Sequence, residues 1–251
     1  QFNPDTVRNE MVDFMAVAFS PVAVNKFFHT VLSSWVLGAV FVIGISCWFL
    51  LKKRDKEFAV ASIKIGAVFG LVASLLTVWT GDGSGYAIAQ TQPMKLAAVE
   101  GYYEGQNGAG LVAVGLLNPE KKTYDDGQDP FLFRIEIPKM LSLLAERKVD
   151  AFVPGIKNII EGGYELKDGT KALSAAEKIE KGKKAIAALA TYRTAKKEGD
   201  EAAAKEAYTT LQENVPYFGY GYIKDVNQLV PNVPLNFYAF RVMVILGGYF
   251  I

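Results

Sequence analysis

Three polar side chains, Gln92, Lys95 and Glu100, follow a glycine-rich stretch and form the first set that could do chemistry. A carboxylate can take up a proton, a lysine can donate hydrogen bonds, and an amide can hold a hydroxyl without carrying charge. Oxidation of a quinol releases electrons and protons together, so this set suits such a substrate. The alternative is an ordinary solvated amphipathic turn. Lys95 and Glu100 would lie about 140° apart on an ideal helix, which predicts either a ligand between them or a break in the helix.

A second candidate set is His29 and Met243, each inside an apolar segment. Histidine nitrogen and methionine sulfur are the axial ligands of a low-spin, electron-transferring haem. His29 lies about eight residues after Pro21 and Met243 about nine after Pro234, so both would lie roughly 12–14 Å from their helix starts. Arg241 would need a counter-charge in a membrane, and haem propionates would supply one. The alternatives are a buried, hydrogen-bonded histidine and a methionine that fills the core.

Apolar stretches of membrane-spanning length would position these residues. From Phe27 to Leu51 the only ionisable side chain is His29, and about 25 residues rise roughly 37 Å as a helix, enough to cross a bilayer. A basic cluster at residues 52–56 follows and indicates the cytoplasmic side. A second apolar run, Phe58–Thr80, returns across the membrane, and Gly81 predicts its end.

The predicted fold class is mainly α: a fragment of a membrane helical bundle with three transmembrane helices, the third truncated, and a long extracytoplasmic loop. We expect an interfacial amphipathic helix over residues 1–20, with Val7, Met11 and Phe14 on its apolar side. Two transmembrane helices joined by a cytoplasmic basic turn occupy 21–80, the loop 81–232, and the start of the third helix 233–251. Within the loop, the Ala-, Glu- and Lys-rich residues 174–213 predict two solvated helices broken near Gly199. Because the chain starts without Met and stops in an apolar run, we expect an internal fragment of a larger protein.

Composition narrows the function classes. The chain has 27 basic and 26 acidic residues, which gives no basic face for nucleic acid. Its single cysteine excludes an internal disulfide, and its single histidine argues against an all-protein zinc site. The GDGSG stretch that opens at Gly81 lacks the lysine and spacing of a phosphate-binding loop.

Three segments make the chain resemble subunit I of the cytochrome bd quinol oxidases: NKFFHTVLSSWVLGAVFVIGIS (Asn25–Ser46), GDGSGYAIAQTQPMKLAAVEG (Gly81–Gly101) and NFYAFRVMV (Asn236–Val244). The resemblance implies that His29 and Met243 are the axial ligands of a low-spin haem b, with Arg241 beside them. It also implies that the family's lysine and glutamate for quinol oxidation fall on Lys95 and Glu100. Gln92 is a further candidate for holding the quinol.

The resemblance carries further expectations about the intact protein. Electrons would pass from quinol to the low-spin haem b, then to a high-spin haem b and haem d, where oxygen becomes water. The expected location is the bacterial inner membrane, with residues 81–232 on the periplasmic side, and the expected partners are lipid, quinol, a subunit II and small accessory subunits. The competing hypothesis is a non-enzymatic receptor or anchor that presents residues 81–231 as an outer binding domain. A transporter is a third alternative, although the spans offer few polar groups for a substrate path.

Overall fold

The computed structural model describes residues 2–6 and 8–250, and these begin with a short hairpin. Strand β1 (Phe2–Asn3) pairs antiparallel with β2 (Arg8–Asn9), and a single-turn helix, α1 (Phe14–Ala18), follows. Asp13 caps α1 by accepting a hydrogen bond from the amide of Ala16.

This start differs from the amphipathic helix predicted over residues 1–20. The side chain of Asn3 accepts hydrogen bonds from the amides of Asp5 and Thr6, which turns the chain where a helix would have to run straight. Only α1 keeps the predicted helical state. Val7, which supported the prediction, lies outside the described residues.

Two long antiparallel helices form the membrane part: α2 (Pro21–Leu51) and α3 (Lys56–Thr91). Ser20 caps α2 and Pro21 occupies its first turn, as the sequence predicts. Both helices, together with the segment Val226–Tyr249, are long and apolar enough to cross a membrane. Large apolar side chains along α2 and α3 are exposed, which suits contact with lipid or with further spans.

Small residues bring α2 and α3 close together. A side-chain carbon added at Gly70 would lie 3.0 Å from Cβ of Ala39, and one at Gly66 would lie 3.1 Å from the side chain of Ile43. Gly66 and Gly70 are four residues apart on one face of α3, the spacing that lets helix backbones approach in a membrane.

Helix α3 does not end at Gly81, so the predicted helix stop there is wrong. The helix continues through the glycine-rich stretch to Thr91, and Gly81 and Gly83 keep negative φ. Both glycines contact α2: a carbon added at Gly83 would lie 2.9 Å from Oδ1 of Asn25, and one at Gly81 would lie 3.4 Å from Cε1 of His29. Close packing against α2, and not a turn, accounts for Gly83, whereas the distance at Gly81 is an ordinary van der Waals contact.

Beyond α3 the loop folds as a compact α/β layer over the helix ends. Its elements are α4 (Pro93–Glu100), β3 (Gln106–Asn107), β4 (Leu111–Leu117), β5 (Phe131–Ile137), α5 (Met140–Glu146), β6 (Phe152–Val153) and α6 (Ile156–Glu161). Antiparallel pairing joins β4 to β5 and β3 to β6. Buried alanines of α4 pack against Ile156 and Ile160 of α6, so α4 is the centre of this layer.

The predicted pair of solvated helices is confirmed. Helix α7 (Ala175–Glu198) and helix α8 (Glu201–Asn214) are separated at Gly199, which has a positive φ of 78°. Their inner faces bury alanine and leucine side chains, and the β1–β2 hairpin reaches this arm: Phe2 packs on Phe218, and Asp5 pairs with Lys196 at 2.6 Å. We call α7, α8 and the following 3₁₀ helix (Val215–Tyr222) the outer arm.

The last helix, α9 (Val233–Tyr249), packs on α4 and β4. Phe237 is fully buried, and its ring meets that of Phe131 at a centroid distance of 5.5 Å. The part of α9 up to Arg241 therefore packs into the core of the loop layer, and the residues from Val242 onward are exposed and largely apolar.

Candidate functional site

His29 is held at the end of α2 that faces the loop, which we call the loop side. Its Nδ1 lies 3.0 Å from Oγ1 of Thr80 on α3. The same hydroxyl lies 3.0 Å from the carbonyl oxygen of Leu76 and 3.1 Å from that of Thr77, to either of which it can donate. The ring lies against Gly81, and among the described residues no hydrogen bond reaches its Nε2.

Asn25, one turn before His29, strengthens the same contact between α2 and α3. Its amide donates to the carbonyl oxygen of Thr80 at 3.0 Å and to the hydroxyl of Ser84 at 2.8 Å. Asn25 and His29 of α2 thus both hydrogen-bond to the turn of α3 that begins at Thr80. This anchoring, together with the glycine contacts, explains why α3 stays helical through the glycine-rich stretch.

Arg241 is the centre of a second cluster, where α9 crosses the loop layer. It is 8% exposed. Its guanidinium donates to the carbonyl oxygen of Val99 at 2.6 Å, to Oε2 of Glu100 at 2.6 Å and to the carbonyl oxygen of Val112 at 2.8 Å. The carbon at its centre lies 4.1 Å from the centroid of the Phe237 ring. One side chain of α9 therefore ties together the end of α4 and strand β4.

Glu100 supplies the counter-charge that the sequence assigned to haem propionates. Its side chain is 4% exposed, and it ends α4 directly against α9. Burial raises the pKa of Glu100, and the charge of Arg241 acts in the opposite direction. Within the described residues its hydrogen bond is made through Oε2. Its Oε1 is thus the oxygen at which a proton could be held.

Lys95 and Gln92 lie apart from Glu100. Helix α4 is unbroken from Pro93 to Glu100, so Lys95 points to its exposed face and Glu100 to its buried face. The break in the helix comes earlier, at Gln92, whose backbone leaves the helical region between α3 and α4. The structure therefore does not bring Lys95 and Glu100 together. No hydrogen bond or ion pair of the Lys95 side chain is formed within residues 2–6 and 8–250.

Met243 lies two residues after Arg241 on α9, and its side chain is 54% exposed. A cavity of about 180 Å³ lies between α2 and α3, lined along α2 from Val36 to Ile43, and Phe250, which directly follows α9, also lines it. His29 precedes the α2 residues of this lining, and Met243 precedes Phe250 by seven residues, so both lie to the loop side of the cavity. A group bound by both side chains would fill the space between α2 and α9.

Comparison with known proteins assigns the family. The family model described as cytochrome bd terminal oxidase subunit I matches residues 1–251. The chain belongs to this family. Cytochrome bd-II ubiquinol oxidase subunit 1 of Escherichia coli (strain K12) is 34% identical over 98% of this chain and 47% of its own length. Cytochrome bd ubiquinol oxidase subunit 1 of Bacillus subtilis (strain 168) is 31% identical over 61% of this chain and 31% of its own length.

The structural comparison agrees with the family. The structure of bd oxidase from Geobacillus thermodenitrificans matches with a TM-score of 0.52 and 22% identity, covering 94% of this chain and 59% of that one. It confirms the predicted fold class, a mainly helical membrane bundle. The chain spans about half the length of the Escherichia coli relative, and its match to the Bacillus subtilis relative covers 31% of that protein's length.

A cytochrome family implies haem, and two features of the chain fit one. His29 has one ring nitrogen hydrogen-bonded to a fixed hydroxyl, while its second nitrogen meets no described donor or acceptor. Met243 presents an exposed thioether on α9, also to the loop side of the cavity. An imidazole and a thioether are the donor set of a low-spin cytochrome haem.

Sequence reasoning missed the partners of these residues. From the sequence, Thr80 marks only the end of an apolar run, and Asn25 has no predicted role. A signal existed: Asn25 and His29 are four residues apart and therefore share one helix face, which a polar partner on α3 would have to meet. The pair of Glu100 with Arg241 had no such signal, because 141 residues separate them.

Proposed function

We propose that this chain forms the quinol-oxidising, low-spin-haem-b-binding part of a terminal respiratory oxidase that passes electrons from quinol to oxygen. The buried pair of Arg241 with Glu100 carries the proposal. The pair joins α4, which carries the candidate quinol residues, to α9, which carries Met243. A substrate bound at α4 would therefore lie next to the helix that ligates the haem. A binding module would need no such link.

The residues of α4 take different parts in this proposal. Lys95, on the exposed face, donates a hydrogen bond to a quinol oxygen, and Gln92 at the helix break holds the ring without charge. Glu100 takes up a proton at Oε1 while Arg241 holds Oε2. Burial, which raises the pKa of Glu100, favours the protonated form and so aids that uptake.

His29 and Met243 are the proposed axial ligands of the low-spin haem b. When bound, the haem supplies an electron acceptor close to the substrate. Thr80 and Gly81 orient the His29 ring, and the exposed Met243 thioether completes the donor set. Arg241 keeps its protein partners, and its charge lies two residues from Met243. In the intact subunit we propose a high-spin haem b and haem d on the part of the family that this chain does not cover.

Two observations support a periplasmic position for residues 81–232. The basic cluster at 52–56 lies at the opposite ends of α2 and α3 from the loop, and such clusters favour the cytoplasmic side. The β1–β2 hairpin, which precedes α2, contacts the outer arm, so both lie on one side of the membrane. We propose the bacterial inner membrane as the location, with lipid, quinol, a subunit II and small accessory subunits as partners.

Replacement of the proposed methionine ligand tests the haem assignment. Met243→Leu in the intact oxidase should abolish the low-spin haem b signal in the reduced-minus-oxidised spectrum, because leucine cannot ligate iron. Val242→Leu, a similarly exposed neighbour on α9, is the matched control and should keep the full signal. An unchanged low-spin spectrum in Met243→Leu would refute the ligand assignment. The absence of any haem from the purified intact protein would favour the receptor or anchor instead.

A separate replacement tests the quinol assignment. Glu100→Gln keeps a hydrogen-bond acceptor for Arg241 but cannot take up a proton, so quinol oxidation should fall by about 10²–10⁴-fold while haem content is retained. Activity would be measured as quinol-dependent oxygen consumption, and haem content by the optical spectrum. Loss of haem together with activity would mean that Glu100 is structural.

A further inference from the structure

We propose that Thr80 is a positioning residue for the low-spin haem: its hydroxyl accepts a hydrogen bond from Nδ1–H of His29 and thereby leaves Nε2 unprotonated to bind iron. This inference rests on the proposed role of His29 as a haem ligand. Its basis is the 3.0 Å contact between the Thr80 hydroxyl and the His29 ring.

The donors and acceptors around Thr80 favour a hydrogen bond donated by His29 to the Thr80 hydroxyl. The hydroxyl has one hydrogen and two lone pairs. Two backbone carbonyls of α3, those of Leu76 and Thr77, lie within 3.1 Å and can receive the hydrogen. The lone pairs then remain for the imidazole, which must present its N–H at Nδ1. A neutral imidazole carries a single N–H, so Nε2 keeps the lone pair that a metal needs.

The surroundings fix the position of the ring as well as its tautomer. Thr80 is 9% exposed, and its own carbonyl oxygen accepts a hydrogen bond from Asn25. Gly81 lies next to the ring, where an added carbon would be in van der Waals contact at 3.4 Å from Cε1. The imidazole is therefore held by a rigid turn of the neighbouring helix. Such outer partners orient a metal ligand, raise its basicity, and typically contribute about 10–100-fold to metal affinity.

Three threonine variants of the intact oxidase test the proposal. Thr80→Val keeps the size of the side chain and removes the hydroxyl, whereas Thr80→Ser keeps the hydroxyl. Thr77→Val is the matched control. Thr77 lies about one turn away on the same helix, and its hydroxyl donates to the backbone carbonyl oxygen of Ala73. The measurements are the low-spin haem b content per protein and the midpoint potential of that haem, both followed optically.

In Thr80→Val we expect the affinity for the low-spin haem to fall by at least about tenfold. The haem that stays bound should have a higher midpoint potential, because a less basic imidazole stabilises the oxidised iron less. Thr80→Ser and Thr77→Val should match the unmodified protein in both measurements. A purely structural role for Thr80 would lower haem content without moving the potential.

The outcomes separate this inference from the proposed function. If Thr80→Val keeps the haem content and potential of the unmodified protein while His29→Ala loses the haem, the positioning role is refuted and the ligand assignment stands. If His29→Ala also keeps the low-spin haem, the proposed function itself fails. Should Thr80→Val fail to assemble, Thr80→Ala provides the same comparison with Thr80→Ser, and equal potentials in those two variants would overturn the proposal.

Discussion

Two ion pairs in this molecule have almost the same length and opposite surroundings. Arg241 and Glu100 meet at 2.6 Å with side chains 10% and 4% exposed. Lys196 and Asp5 also meet at 2.6 Å, but their side chains are 55% and 52% exposed. The first pair joins α9 to the loop layer, and the second attaches the β1–β2 hairpin to the outer arm.

The difference lies in what each pair must replace. Removing two charges from water costs free energy that a buried pair regains only through good geometry and additional hydrogen bonds. Arg241 has these, because the carbonyl oxygens of Val99 and Val112 accept from it as well. The exposed pair on the outer arm can exchange its partners for water at little cost. We therefore expect the two regions to respond very differently to the loss of one charge.

Removal of the arginine should produce the largest effect. Arg241→Leu leaves the Glu100 carboxylate buried without its partner and two carbonyl oxygens without their donor, and breaking such a pair costs about 3–5 kcal/mol. We expect a large fall in the thermal unfolding midpoint of the intact protein in detergent. The low-spin haem should be lost with it, because Met243 lies on the same helix.

The double variant Arg241→Leu with Glu100→Leu is the control for this effect. It removes the unpaired charge, so it should be more stable than Arg241→Leu alone, although the orphaned carbonyl oxygens keep it below the unmodified protein. Equal stability of the single and double variants would show that the buried charge is not the source of the loss.

An intermediate effect is expected within the outer arm, where packing and not charge holds the elements. Gly182 of α7 lies so close to the following 3₁₀ helix that an added side-chain carbon would overlap the backbone nitrogen of Gly221. Gly182→Leu should separate these elements and expose the outer arm to limited proteolysis. Haem content and the core around Arg241 should be unaffected, since the arm has its own apolar cluster.

A matched variant on the exposed side of the same helix makes that test specific. Lys183→Leu changes the next residue, whose partner Glu180 lies on the solvent face of α7. It should leave the proteolysis pattern unchanged. Similar cleavage of the two variants would contradict the role assigned to Gly182.

The sequence predicts the membrane helices and the helices of the outer arm, for identifiable reasons. Apolar length predicts α2 and α3, because crossing a membrane imposes a minimum run of apolar residues. An Ala-, Glu- and Lys-rich composition predicts α7 and α8, because helix propensity decides where tertiary packing is weak. Both are local properties, so no knowledge of the fold is needed to read them.

The contacts that assemble the candidate site are not local. Glu100 and Arg241 are 141 residues apart in the chain, and their contact depends on how the whole loop returns to α9. The sequence predicts a helix stop at Gly81, because sequence alone does not show that α2 passes within contact distance of Gly81 and Gly83. The 140° between Lys95 and Glu100 predicts a ligand or a helix break between them. The helix is unbroken from Pro93 to Glu100, and only the fold shows that the face of Glu100 is buried against Arg241.

The smallest effect is expected at the exposed pair of Asp5 and Lys196. Lys196→Met removes the partner whose hydrogen bond lowers the pKa of Asp5, and we expect no measurable change in thermal stability or haem content, because water and salt replace such a contact.

The pH dependence of this pair follows from the direction in which the pKa of Asp5 is shifted. A carboxylate whose pKa is lowered in the folded protein stabilises it above the ordinary pKa, and that contribution is lost as pH falls through the lowered value. Any small difference between Lys196→Met and the unmodified protein should therefore appear only at low salt and at a pH above the lowered pKa of Asp5. A salt-independent loss of stability as large as that of Arg241→Leu would mean that exposure does not separate the two pairs.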